Sequence, residues 1–534
     1  MPAIVENETL VKKTKNLSGI FVALVILALV AACAGPTPES PQYWPTEGWL
    51  TSTPEDQGMD SERLAAALDL LQEHREEYHI HSLLIIRHGY VVADVYFYPF
   101  APDMMHDLAS VTKSFTSTLI GIAIDKGYIE SIEQPVLDIF PERSVANDGA
   151  EKRAMTVKNL LTMRSGFECI SEDEAGTVGG GTQAEMMESP DWVQFTLDLP
   201  MSDEPGECFN YCNSGAHLLS AAIQETTGLS SLAFAQKHLF EPLGISDVTW
   251  PADPQGNNHG WGDLYLMPHD MAKLGYLYLH KGLWDGQQVL SPAQVTAATS
   301  FQTNTYLSFA DYGYLWWLTP SGEYYYADGR DGQRIFVFPD KDMVVVTTGG
   351  GGRDQYGVLE TLLTSYIIPA VESEAPLPAN PSGVALLESG IQQAAAQPDA
   401  RPVPPLSETA RKVSGRTYAM EANPLGLTHV SLTFQDEKEA LLQLSFGEPY
   451  QFEILIGLDN VFRFSLGYPR NPGITAAARG AWELDNSFVV EYDTIGNIDR
   501  WEWKARFEGA QVTLQMKGIA GTDITATVVG RLEE

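Results

Sequence analysis

Apolar residues recur at spacings of three and four along several stretches of the first two-thirds of the chain, which is the mark of helices with one buried side. Asp60 can cap a helix over 60–76, with Leu64, Leu68, Leu70 and Leu71 facing inward. From Ser110 onward, Phe115, Leu119, Ile120, Ile122 and Ala123 predict a buried helix, and Gly127 behind Lys126 suits its C-terminal cap. Helical spacing also covers 214–227, stopping at Gly228, and 267–278, starting near Pro268-His269-Asp270. A short helix running into a turn is predicted over 156–166.

Other stretches are rich in β-branched and aromatic residues. Residues 82–87 and 90–96, joined at His88-Gly89, predict a hairpin. Residues 313–318, 323–327, 333–338 and 343–348 predict successive strands. Helices mixed with such strands imply an α+β domain over 47–370, with helices flanking a mostly antiparallel sheet. The acidic stretch 168–207, with Gly179-Gly180-Gly181 inside it, reads largely as loop over a pocket rim. Residues 371–410 turn rich in Pro, Ala, Ser and Glu and read as a linker holding one helix, 384–396. From 411 to 534 the pattern becomes short alternating strands: 430–434, 440–446, 452–455, 461–466, 481–491, 499–507 and 511–516. That spacing implies an all-β barrel or sandwich. It contains no catalytic constellation, so an accessory role is expected for it.

Length and charge narrow the picture. A chain of 534 residues is too long for one ordinary domain. A formal net charge of -37 excludes nucleic acid as a partner. The N-terminus has Lys12, Lys13 and Lys15 ahead of an apolar run over 20–32, which ends Val30-Ala31-Ala32-Cys33. An apolar residue, two small residues and a Cys resemble the lipobox of bacterial lipoproteins. Residues 1–32 would then be a signal peptide, Cys33 the lipidated N-terminus and 33–46 a tether. A lipid-anchored membrane partner and an extracytoplasmic place in the bacterial cell envelope follow from that expectation.

Two short patterns bear chemistry. Ser110-Val111-Thr112-Lys113 places a hydroxyl and an amine three residues apart, on one face of a helix. A serine is a poor nucleophile until a base takes its proton. A lysine buried at a helix start can be that base, because desolvation and the positive helix end favour the neutral amine. Tyr211-Cys212-Asn213 lies just ahead of the 214–227 helix. A tyrosine beside a lysine can hold a proton or ionise, and Asn213 offers a neutral donor and acceptor. Competing chemistries are poorly represented. No Gly-x-Ser-x-Gly elbow occurs, and His74, His79 and His81 lack metal-ligand spacing. No metal or organic cofactor is implied.

Taken with 156–166, Pro205-Gly206, Pro242-Leu243-Gly244, 268–275, 313–317 and 328–333, these patterns make residues 47–370 resemble the serine β-lactamase/penicillin-binding-protein-like hydrolases. That superfamily includes class C β-lactamases, family VIII carboxylesterases, D-aminopeptidases and 6-aminohexanoate-dimer hydrolases. The resemblance implies a transpeptidase-like fold with the site between sheet and helical lobe. Ser110 would be the acylated nucleophile, with Lys113 and Tyr211 sharing base and acid work and Asn213 lining the site. The third family element corresponds to Ala327-Asp328-Gly329, and the backbone N–H groups of Ser110 and Arg330 would form the oxyanion hole. Relatives that cleave β-lactams have a lysine where Ala327 stands here. The missing cation and the added Asp328 carboxylate favour a neutral ester, amide or peptide substrate over an anionic antibiotic. The alternatives are a β-lactamase, D-alanyl carboxypeptidase or D-aminopeptidase on the same site, or a non-catalytic envelope binding or sensor module. The family also places Cys169 near Cys208 and Cys212, so a disulfide from Cys169 to either is expected.

Overall fold

Strands β1 (Leu50–Thr51), β2 (Ile80–Arg87) and β3 (Tyr90–Tyr96) form one edge of the sheet that organises the N-terminal domain. Its other strands are β4 (Thr303–Asn304), β5 (Asp311–Tyr312), β6 (Trp317–Leu318), β7 (Tyr325–Gly329), β8 (Gln333–Phe338) and β9 (Met343–Gly349). The computed structural model describes residues 43–170, 180–351, 355–447, 450–468, 471–520 and 525–533. Cys33, the expected signal peptide and most of the tether lie outside them. No helix among the described residues is long and apolar enough to cross a membrane. Trp44, assigned to the tether, is packed instead, its ring against Tyr276, His280 and Trp284.

The sheet order is β1-β3-β2-β9-β8-β7-β6-β5-β4. Only β1 pairs in parallel, with β3; the other pairings are antiparallel. Every residue of β2, β8 and β9 is buried, so these central strands are covered on both faces and read as near-continuous apolar runs. Helix α1 (Ser61–Glu73) starts where Asp60 accepts from the amides of Glu62 and Arg63. Helix α2 (Thr112–Asp125) is buried from Thr112 through Ala123, and α3 (Asn213–Thr227) packs on it. Helix α4 (Pro268–Leu279) lies on β8 and β9.

Two segments depart from their predicted form. Within 168–207, helices form at Gly181–Glu188 and Trp192–Asp198, the second capped by Asp191 accepting from the Gln194 amide. Within 371–410, helix α5 (Pro381–Ala395) packs on α1 and β3. Its Leu387 and Ala394 belong to the same buried apolar cluster as the sheet, so this part of the predicted linker is integral to the domain.

The C-terminal domain is a barrel built around its own buried cluster. Its strands are β10 (Arg416–Met420), β11 (His429–Phe434), β12 (Glu439–Ser445), β13 (Gln451–Gly457), β14 (Arg463–Tyr468), β15 (Asn471–Trp482), β16 (Ser487–Ile495), β17 (Arg500–Glu508), β18 (Gln511–Ala520) and β19 (Thr525–Leu532). Pairing runs β13-β12-β11-β10-β19-β18-β17-β16-β15-β14 and closes at Gly457 beside Arg479 on β15, leaving β14 outside the ring. Alternation explains the inward face: Ala440, Leu442 and Leu444 of β12 are buried. The predicted strand over 481–491 is two strands, because the chain turns at Asn486, φ 60°.

The barrel touches the N-terminal domain through its 496–498 turn. Gly496 accepts from the Asp107 amide at 2.7 Å, and Asn497 Nδ2 donates to the Tyr265 hydroxyl at 3.3 Å.

Candidate active site

Ser110 stands in a single 3-10 turn, Ala109–Val111, that leads into α2. The preceding chain is pinned on several sides. His106 and Asp107 pair with Tyr265 and Leu266, and the Leu108 amide donates to Leu264 O at 2.9 Å. Ala109 has φ 44°, a left-handed conformation unusual for a residue with a Cβ. The Asp107 carboxylate accepts the Ala109 N–H at 2.8 Å and holds it there. Burial and the nearby Asp263 carboxylate raise the Asp107 pKa to about 7, with Arg330 acting in the opposite sense.

Lys113 is buried, and its amine donates to Ser110 Oγ at 2.8 Å and to Trp261 O at 2.9 Å. The three-residue spacing thus delivers the predicted neighbours. Trp261 is fixed by rings around it: His259 stacks at 4.6 Å, with Trp192 at 5.6 Å and His217 at 5.3 Å. The Lys113 amine also lies 4.7 Å from the centroid of the Tyr211 ring, within cation–π range.

Tyr211 reaches this point because its neighbours are tied down. The Asn210 amide donates to Met163 O at 2.7 Å, and Asn210 Nδ2 donates to Cys169 O at 3.0 Å. On its other side, Cys212 forms the disulfide with Cys169, and Cys208 is free and exposed. The Tyr211 ring stacks on Trp317 at 6.1 Å. Burial raises the Tyr211 pKa well above 10, reinforced by Tyr312 and Asp328 and opposed by its hydrogen bond with Ser110. Of the two states open to a tyrosine beside a lysine, burial favours the protonated phenol. Asn213 begins α3 and donates to Gln183 of the 181–188 helix.

The third element lies on β7. A Cβ on Gly329 would sit 2.5 Å from Leu108 O and 3.3 Å from Ala109 Cβ, so the strand end approaches the Ser110 turn as only glycine permits. Arg330 follows it at the start of the next turn, half-buried. Asp328 forms an ion pair with buried Arg334, its direct partner across the β7–β8 ladder. Buried Gln333 clamps the end of β9, donating to Gly349 O at 2.7 Å and accepting from Gly349 N at 3.1 Å.

The β-lactamase family description matches residues 68–354 of this chain. The chain belongs to the β-lactamase family. A 6-aminohexanoate-dimer hydrolase of Paenarthrobacter ureafaciens is 27% identical over 314 residues, covering 55% of this chain and 79% of that protein. The lovastatin esterase of Penicillium rubens is 27% identical over 162 residues, 27% of this chain and 40% of that protein. A solved structure from Bacillus anthracis, provisionally titled a 6-aminohexanoate-dimer hydrolase, superposes with a TM-score of 0.52 at 17% identity, covering 64% of this chain and 91% of that one. That likeness establishes the fold.

Within the β-lactamase family setting, the departure at Ala327 changes meaning. Ala327 is fully buried and supplies no cation. The Asp328 carboxylate, expected to repel an anion, is compensated by Arg334. Asp107, Trp261 and Gln183 were missed as site residues. Trp261 acts through its carbonyl, which every residue has, and nothing in its side chain signals the contact. Asp107 lies three residues before Ser110, a proximity that could have singled it out.

Proposed function

We propose that this β-lactamase-family chain is a serine hydrolase that cleaves ester or amide bonds through an acyl-enzyme on Ser110. The observation that bears most weight is the 2.8 Å contact between the Lys113 amine and Ser110 Oγ, with the Tyr211 ring packed against the same amine. Lys113 takes the Ser110 proton as Oγ attacks the acyl carbon. The Ser110 and Arg330 amides receive the developing oxyanion. Tyr211, kept as a protonated phenol by its burial, passes a proton to the leaving alcohol or amine, and the same groups activate water to release the acid. The likeness to a 6-aminohexanoate-dimer hydrolase and to lovastatin esterase supports amide and ester substrates. With Ala327 in the cation position, β-lactams are the weaker substrates. In this reading the N-terminal segment anchors the enzyme to the envelope through lipid on Cys33.

A fluorophosphonate probe should label the wild type and fail to label Ser110→Ala. Short-chain p-nitrophenyl esters should turn over faster than nitrocefin. Equal labelling of both proteins would overturn the nucleophile assignment, and faster nitrocefin cleavage would overturn the substrate preference.

A further inference from the structure

The catalytic domain and the barrel enclose a cavity of about 290 Å³ that shares none of Ser110, Lys113 or Tyr211. Four guanidinium groups, Arg75, Arg401, Arg479 and Arg500, line it against two carboxyl groups, Glu491 and Asp493. That cationic excess occurs in a chain of net charge -37. Arg479 and Arg500 both pair with the Glu491 carboxylate. Asp493 is buried, and its pKa is raised to about 7, so near neutrality it offsets the cations only in part. The histidines in the wall register the same field: Arg500 is among the charges that, together with burial, hold His79 and His81 neutral. Apart from Asn460, the rest of the wall is apolar or aromatic. Tyr98 and Phe100 come from the catalytic domain and Phe462 from the barrel, with the Arg479 guanidinium 4.6 Å from the Phe462 ring centroid.

We propose that this interdomain cavity binds a small organic carboxylate, with its carboxylate on the arginines and its apolar body against Phe100 and Phe462. Planar guanidinium forks match a carboxylate two bonds at a time, and an apolar wall with a few placed polar groups is the usual build of a small-molecule site. A bare inorganic anion would leave the aromatic wall unused. Both domains contribute, so the ligand stabilises the docked pair by mass action.

The test is calorimetric titration of full-length Ser110→Ala protein with benzoate at low salt. Neutral benzamide and inorganic phosphate are the comparison ligands, and melting temperature is followed in parallel. Benzoate should saturate a single site and raise the melting temperature, with benzamide and phosphate weaker by about tenfold or more. Arg401→Gln and Arg479→Gln should each weaken benzoate by a similar factor. Arg401 is exposed and its replacement leaves the fold intact, so it serves even if Arg479→Gln unfolds. Absence of saturable benzoate binding, equal binding of benzamide, tighter binding of phosphate, or unchanged benzoate affinity in the folded arginine variants would each overturn the proposal.

Discussion

Replacing Asp107 with alanine removes the acceptor that holds the Ala109 amide in the turn bearing Ser110. The bond is 2.8 Å long and buried, and above about pH 7, where Asp107 is ionised, a hydrogen bond to a charged partner contributes roughly 1.5–3 kcal/mol. Ala109 needs that hold, since a left-handed non-glycine backbone costs on the order of 1–3 kcal/mol and persists only when its surroundings impose it. If the loss is felt wholly in placing the Ser110 hydroxyl, kcat falls roughly 10- to 150-fold. Asp107→Asn keeps a carbonyl oxygen in the same place and should stay within a few-fold of wild type. The assay is p-nitrophenyl butyrate turnover, paired with the rate of fluorophosphonate labelling. An alanine variant with wild-type kcat, or an asparagine variant as slow as alanine, would refute the reasoning.

The same residue gives a pH signature. Its folded pKa of about 7 lies above the ordinary 3.8, so the folded state binds the proton more tightly than the unfolded chain. Stability from this group is complete below about pH 4 and is lost as pH rises through about 7. Asp107→Asn should flatten that part of the stability–pH curve, read by urea denaturation at intervals across it. An identical slope in both proteins would assign the effect elsewhere.

Gly329→Ala forces a methyl to 2.5 Å from Leu108 O, so ester turnover should collapse while far-ultraviolet circular dichroism stays near wild type. Opening the Cys169–Cys212 bridge, which spans 43 residues, should cost roughly 2–4 kcal/mol in urea denaturation, and replacing free Cys208 should cost nothing measurable. Arg334→Gln leaves Asp328 without its buried partner and should destabilise the protein by roughly 3–5 kcal/mol in the same experiment. Gly496→Ala places a methyl 2.3 Å from Met105 O, so it should loosen the barrel from the catalytic domain and split one calorimetric unfolding transition into two.

The parts of the fold that could be read from sequence are those specified locally. Helix α2 announced itself because Phe115, Leu119, Ile120, Ile122 and Ala123 keep helical spacing and are all buried, and the Ser110–Lys113 pairing follows from helical geometry alone. Tyr211 could be found because it precedes a helix whose spacing and Gly228 stop are plain. Strand β15 could not. Ala476, Ala477 and Ala478 have low strand propensity, yet they are fully buried where the barrel closes, and their value lies in being small. A Cβ on neighbouring Gly480 would meet Val489 O of the adjacent β16 at 2.8 Å, and Ile456 Cγ2 of β13, across the closure, at 3.1 Å. The Asp328–Arg334 pair is an intermediate case. It is invisible as a linear motif but follows once β7 and β8 are given an antiparallel register about the 330–332 turn.

The contact between the two domains alters what the barrel is for. Sequence assigned it an accessory role because its own residues carry no chemistry. Yet Asp107 is bonded twice: its backbone N–H donates to Gly496 of the barrel and its carboxylate accepts from Ala109 of the turn that carries Ser110. The barrel therefore supplies the partner of a buried amide three residues from Ser110, and without it that amide would have to find another acceptor or pay the desolvation penalty of a buried donor. Beside this junction, the His106 ring donates through Nδ1 to Asp107 O at 3.0 Å. A carbonyl can only accept, and burial lowers the His106 pKa to about 4, so the neutral ring offers Nε2 as acceptor to His81 Nδ1 at 2.8 Å. His81 in turn lines the interdomain cavity. A continuous run of hydrogen bonds thus joins the domain interface to the turn that presents Ser110, which makes the placement of Ser110 a property of both domains together.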